Sequence, residues 1–313
     1  MNNSTAIWWS IEECNVVLDT NIFISADESK NYLEFGIKIK GIKSQNKDDC
    51  VSLYIPYKIK KFNITDKVPI LKQNNNLTSA MFNENLSIDT ENNNIIVVRY
   101  NNKDNESKSD FRYMDLLDNY DIVDEIGGIG TVIKININED IQSDSYDNIY
   151  YRFRINKLEK IFTEIDENYL FVDKFIKKII NLDFNINKND KLSNSIIQNF
   201  NKNNYILSSQ NLFLKTDMNM NIIFQSKYHK NIKVLSDIWR DYICLNNKSD
   251  NVIVYHWKEK EVFLKLSYVK KSKLLTILMI TLSITIFTIG VNYFSNYLFA
   301  ELYNGSSVTK EKE

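Results

Sequence analysis

The hydrophobic positions of this chain change their period along its length. From the start to about residue 140 they alternate. Ala6–Glu12 and Val16–Ile24 are short apolar runs. Leu33, Phe35, Ile37 and Ile39 alternate with polar or small residues, and Val51, Leu53, Ile55, Tyr57 and Ile59 repeat the pattern. A period of two marks strands whose side chains point alternately to opposite faces. Ile95–Tyr100 and Thr131–Ile137 continue the series, with Asn, Asp and Ser clusters between the runs. Many short strands joined by polar turns predict a mainly β protein with some α, in which residues 1–150 form an antiparallel, sandwich-like cytoplasmic domain, with a small barrel as the alternative. The Asn-rich stretch Lys72–Asn94 reads as a long loop.

Within that region, Phe111–Glu125 keeps a different rhythm. Tyr113, Leu116, Leu117 and Tyr120 recur at helical spacing, and Asp115, Asp118, Asp121 and Asp124 recur every third residue. Four carboxylates so spaced are a candidate metal site on oxygen ligands, although the Gly and closing Glu of an EF-hand loop are missing. The bland alternative is a solvated acidic face. Gly127, Gly128 and Gly130 precede a predicted strand rather than a helix, which suits a turn better than a phosphate loop. Tyr150–Ile155 reads as a strand that sets Arg152 and Arg154 on one face, either as a partner-binding pair for an anion or as an ordinary solvated face. Trp8 and Trp9 would face opposite ways, so that one is a candidate binding anchor.

After Asn156 the period lengthens. Leu158, Phe162, Ile165, Tyr169, Val172, Ile176 and Ile179 are spaced 4, 3, 4, 3, 4, 3, which predicts an amphipathic helix over 157–181 and a domain boundary near 150–157. Residues 151–269 then read as a mixed α+β cytoplasmic domain. Its strands are Tyr205–Leu214, Met220–Phe224, and a hairpin of Val252–Trp257 with Glu261–Val269; Val234–Tyr242 has helical spacing.

Leu274–Ala300 holds no charged residue and predicts a transmembrane helix within 270–300. At 1.5 Å per residue it reaches roughly 40 Å, against about 30 Å of bilayer hydrocarbon. A buried core helix is the alternative. Lys265, Lys270, Lys271 and Lys273 precede it, and Lys310 and Lys312 follow at a greater distance. The positive-inside rule therefore places the preceding bulk in the cytoplasm and a short tail, 301–313, outside. Asn304-Gly305-Ser306 matches a glycosylation sequon. Thr281, Thr285, Thr288, Asn292 and Ser295 fall on one line of the helix, a candidate homo-oligomer interface.

Charge and composition narrow the chemistry. The 313 residues carry 39 Lys and Arg against 40 Asp and Glu, well mixed, so nucleic acid is not an expected partner. Cys14, Cys50 and Cys244 are far apart and show no disulfide or zinc spacing. With 7 Gly and 2 Pro, turns must rest on Asn, Asp and Ser. His229 and His256 sit in unrelated contexts, and no nucleotide, kinase or hydrolase motif occurs. No cofactor and no catalytic residue is expected. The resulting expectation is a single-pass, C-terminally anchored protein that presents a β-rich binding or sensing module to an unknown partner. An oligomerising membrane effector and a membrane-surface enzyme are the alternatives.

Overall fold

The computed structural model describes residues 4–42, 48–91, 95–101, 109–116, 119–124, 130–137, 148–156, 163–165, 177–200, 206–243, 251–269 and 274–307. Strands dominate them. In chain order these are β1 (Ala6–Trp9), β2 (Asn15–Ile24), β3 (Tyr32–Lys40), β4 (Cys50–Ile55), β5 (Ile64–Asp66), β6 (Leu86–Thr90), β7 (Ile96–Tyr100), β8 (Phe111–Tyr113) and β9 (Tyr120–Asp124). They continue as β10 (Thr131–Asn136), β11 (Asn148–Asn156), β12 (Thr163–Ile165), β13 (Lys177–Asn185), β14 (Ser209–Asp217), β15 (Met220–Gln225), β16 (Asn231–Val234), β17 (Val252–Trp257) and β18 (Glu261–Val269). The helices are α1 (Val68–Lys72), α2 (Asn75–Phe82), α3 (Asn194–Phe200), α4 (Arg240–Ile243) and α5 (Leu274–Ser307).

Three sheets result. The largest has ten strands in the order β16-β17-β14-β2-β3-β11-β8-β7-β6, with β5 also paired to β11. The second runs β1-β4-β10-β9 and the third β12-β13-β18-β15. Two pairings in the large sheet, β14 with β2 and β11 with β8, are parallel, so it is mixed rather than purely antiparallel. β17 and β18 are close in sequence yet belong to different sheets. The expected hairpin across Lys258-Glu259-Lys260 is instead a corner from one sheet to another.

The expected domain boundary near 150–157 falls inside β11, a central strand of the large sheet. β14, β16 and β17, from the sequence-distal half, pair into the same sheet as β2 and β3. The compact units are Met1–Ile165 with Ile179–Ser267, and Asp166–Lys178 with Tyr268–Glu313. Of the helix expected over 157–181, the described parts are strands: β12 and the start of β13. The rest lies outside the described residues.

Three other local expectations fail for identifiable reasons. In its described part the stretch 72–94 is not a long loop, because Asn residues there act as caps. The Asn74 side chain accepts from the Leu77 N–H to start α2, and Asn83 ends it in the left-handed conformation at φ 53°. Phe111–Glu125 is not helical in its described parts. Tyr113 lies in β8 and Tyr120 in β9, both buried, so their helical spacing belongs to two separate strands. Val234–Tyr242 likewise divides, into the end of β16, a single 3-10 turn at Asp237–Trp239, and α4.

Both faces of the central strands are covered, as eight of the nine residues of β3 are buried. Leu33, Phe35, Ile37 and Ile39 supply one apolar face. Toward one end, the opposite face is roofed by α1, α2 and the Asp237–Ile243 segment. There Phe23, Tyr32, Val68, Leu71, Leu77, Phe111, Tyr113, Tyr150, Trp239 and Tyr242 form a buried cluster.

The second unit contains α5, 34 residues long. Most of its described side chains are exposed, including Leu282 at 52%, Ile286 at 61%, Phe287 at 73% and Ile289 at 62%. Among the described residues no helix is long and apolar enough to cross a membrane. Apart from Leu278, the described side chains of α5 begin at Ile280. They include Asn292, Tyr293, Ser295, Asn296 and Tyr297, whereas the apolar Leu274, Leu275 and Ile277 lie outside them.

Candidate functional site

The polar face of β3 presents Tyr32, Glu34, Gly36 and Lys38, and that of β11 presents Tyr150, Arg152 and Arg154. Antiparallel register sets Arg154 opposite Glu34, Arg152 opposite Gly36 and Tyr150 opposite Lys38. The rows continue through β2 into β14, so that Phe23 and Lys215 extend the row of Tyr32, and Asn21 and Phe213 that of Glu34. Gly36 is required by this crowding. A Cβ there would run into the Tyr150 hydroxyl and come within 3.1 Å of an Arg152 guanidinium nitrogen.

Glu34 is the centre. Its Oε1 accepts from Arg152 Nε at 2.8 Å and from the Tyr242 hydroxyl at 2.9 Å, and its Oε2 accepts from Arg154 Nε at 2.9 Å. Arg152 Nε also donates to the Tyr242 hydroxyl oxygen, and Arg152 Nη1 donates to Tyr150 Oη, each at 2.8 Å. Arg154 Nη2 and Lys67 Nζ donate to the backbone carbonyl of Tyr242, at 2.8 and 3.4 Å. Every one of these side chains is buried. Burial alone would raise the Glu34 carboxyl. Arg152 and Arg154, with Lys215, overcome it and hold Glu34 well below the usual carboxylate range.

Lys215 completes the cluster without joining its hydrogen bonds. It is 2% exposed, and its Nζ has no hydrogen-bond partner among the described residues. It lies 5.3 Å from the centre of the Trp239 ring and 5.9 Å from that of Tyr242. Burial pushes its ammonium down to about 7, against the pull of Glu34 and with the push of Arg152, Arg154 and Lys67.

Two smaller polar lines share the face. Lys38 stands 3.9 Å over the Phe111 ring, and burial brings it to about 7 as well. Asn211 donates to Asp19 at 2.7 Å and meets His256 Nε2 at 3.0 Å, while His256 stacks on Phe213. Burial, then Lys258 and Lys230, lower the His256 pKa.

Chemically the cluster suits recognition rather than bond-breaking. A carboxylate held so low is a poor base, and burial raises the pKa of both Tyr150 and Tyr242, keeping the phenols protonated. What the face concentrates is cationic hydrogen-bond donors.

The residues singled out from sequence fare unevenly. Arg152 and Arg154 do share a strand face, but they are buried with Glu34 rather than solvated. Trp9 is buried, and Trp8 packs half-buried against Ala6, Tyr54 and Ile196. Asp115 pairs with Lys72 at 2.7 Å, Asp121 accepts from Asn136 at 3.1 Å, and Asp124 ends β9; Asp118 lies outside the described residues. Residues three apart on a strand face opposite sides, so Asp121 and Asp124 diverge. No three metal-ligating side chains converge among the described residues. On α5, the hydroxyls of Thr281, Thr285 and Thr288 donate to backbone carbonyls of their own helix, at 2.9, 2.8 and 2.8 Å. Cys14 and Cys50 are free thiols, and Cys244 and Gly127–Gly128 lie outside the described residues.

Glu34, Gly36, Lys67, Lys215 and Tyr242 were not singled out in sequence. Glu34 and Lys38 occupy the polar positions of an alternating strand, the same signal that a solvent-facing side gives. No family model matches the chain, and no curated protein matches it.

Proposed function

We propose that this chain is a membrane-anchored binding module, with α5 in a bilayer and the β-rich unit, its sheets layered as a sandwich, on the cytoplasmic side. One observation carries the reading: the uncharged run Leu274–Ala300 lies in one helix whose described apolar side chains, among them Ile284, Ile286, Phe287, Ile289 and Phe294, are exposed. Exposed apolar side chains in that number need an apolar surrounding, and a span of roughly 40 Å matches a bilayer with some tilt. The cluster of Lys265, Lys270, Lys271 and Lys273 before the helix supports the cytoplasmic side. Absence of a converging catalytic set among the described residues, together with the cation-rich face around Glu34, favours binding over catalysis. The polar line from Thr281 to Ser295 suits self-association in lipid. Its threonines have their own backbone bonds, which leaves the Asn292 amide as the strongest reason for a second helix.

Carbonate extraction tests the anchor. The full chain is expected to stay with the membrane pellet, and a chain stopped after Val269 to leave it. Release of the full chain would refute the proposal.

A further inference from the structure

The roof over Glu34 has the character of a stand-in. Arg154 and Lys67 both point donors at the Tyr242 carbonyl oxygen, and Arg152 points one at its hydroxyl. The Tyr242 ring sits 4.7 Å from Lys67 Nζ, 5.1 Å from the Arg154 guanidinium and 5.9 Å from that of Arg152. Each cation thus meets a neutral oxygen or a ring face of this one residue. Among the described residues, Glu34 is the one carboxylate bonded to either arginine; Asp19, near Arg152 and hydrogen-bonded to Asn211, is the other carboxylate of the face, and the two cannot neutralise both arginines as well as Lys215. Buried charge without a counter-charge is costly, and the unpartnered Lys215 ammonium marks where the deficit lies. The element that supplies Tyr242 is short. It is one 3-10 turn and a four-residue helix, which hold to the sheet largely through Trp239, Tyr242 and Ile243.

We infer that Arg152, Arg154, Lys67 and Lys215 form an oxyanion site of phosphate type, occupied at rest by Tyr242 as an internal neutral substitute. A phosphate group offers the fork-shaped guanidinium donors charged acceptors in place of a carbonyl, and gives Lys215 a partner. Its entry displaces the Asp237–Ile243 segment and leaves the Glu34–Arg pairing on the sheet intact. Ligand binding and movement of the segment are thereby linked: the ligand gains only by its preference for the open form. This goes beyond the anchoring proposal and does not depend on whether α5 lies in lipid.

The test is amide hydrogen exchange on the full chain in detergent, with inorganic phosphate against chloride at equal ionic strength. Phosphate is expected to speed exchange across Asp237–Ile243 by about tenfold, corresponding to a shift of about 1.4 kcal/mol, while amides of β3 and β11 stay slow. Lys215→Met, which removes a buried unpaired charge and so keeps the fold, is expected to abolish the response. Equal exchange of the segment in the two salts overturns the inference, as does a phosphate effect that spreads evenly over the sheet or survives in Lys215→Met.

Discussion

The centre of the β-rich unit and the C-terminal helix break the usual rule of burial in opposite directions. Glu34, Arg152, Arg154 and Lys215 are charged and at most 4% exposed, whereas Phe287, Ile289 and Phe294 on α5 are apolar and more than 60% exposed. The first anomaly is resolved largely within the chain. Glu34 lies between two guanidiniums, and Tyr150 and Tyr242 take up remaining donors. Among the described residues no comparable resolution is seen for the apolar side chains of α5, whose exposure to water is costly. Buried charge therefore reads as internal architecture with one unpaired member, while the exposed apolar side chains of α5 have no such compensation among the described residues.

The largest effect is expected where the internal compensation is removed. Glu34→Leu leaves Arg152 and Arg154 buried without their carboxylate and should cost about 3–5 kcal/mol of stability, read by denaturant unfolding. A loss below about 1 kcal/mol would mean that Tyr242 and Tyr150 satisfy the arginines unaided.

A smaller and pH-dependent effect belongs to the lysines. An unfolded Lys215 keeps its proton to about 10.5, while the folded one releases it near 7. Between those values the unfolded chain binds more protons, so stability rises with pH across that window, and this group adds no slope below it. Glu34, Arg152, Arg154 and Lys67 face it, and Lys38 contributes in the same sense. Melting curves from pH 7 to 10 should show the rise, and Lys215→Met should flatten it in part. An unchanged slope in that variant would place the titration elsewhere.

The smallest effect probes the helix. Asn292→Leu should weaken pairing of full chains in membranes by about 0.6–1.7 kcal/mol, measured as crosslinked dimer yield. The same yield in both chains would remove the polar line of α5 as an interface.

Strand positions were legible because alternation is a local signal. β2, β3, β4, β10, β17 and β18 lie close to the runs read from hydrophobic spacing. The failures share one cause. The Asn residues of 72–94 looked like loop until Asn74 and Asn83 were seen to cap α2, and the spacing in Phe111–Glu125 looked helical because a short window cannot tell a helix face from two brief strands. Of the candidate site, the two arginines on one face of β11 could be read from sequence. Their partners could not, because Glu34, Lys215 and Tyr242 lie 118, 63 and 90 residues from Arg152 along the chain.

By itself, the sequence determined the β-rich character, the alternating faces of individual strands, and the long uncharged run near the C-terminus. Each follows from the period or length of a continuous stretch. Tertiary structure alone decided that β14 and β17 share a sheet with β3, that the polar side of β3 is roofed rather than wet, and that Tyr242 closes over the arginines. An alternating strand has the same pattern whether its polar side meets water or a buried counter-charge. Only the arrival of a distant segment distinguishes the two.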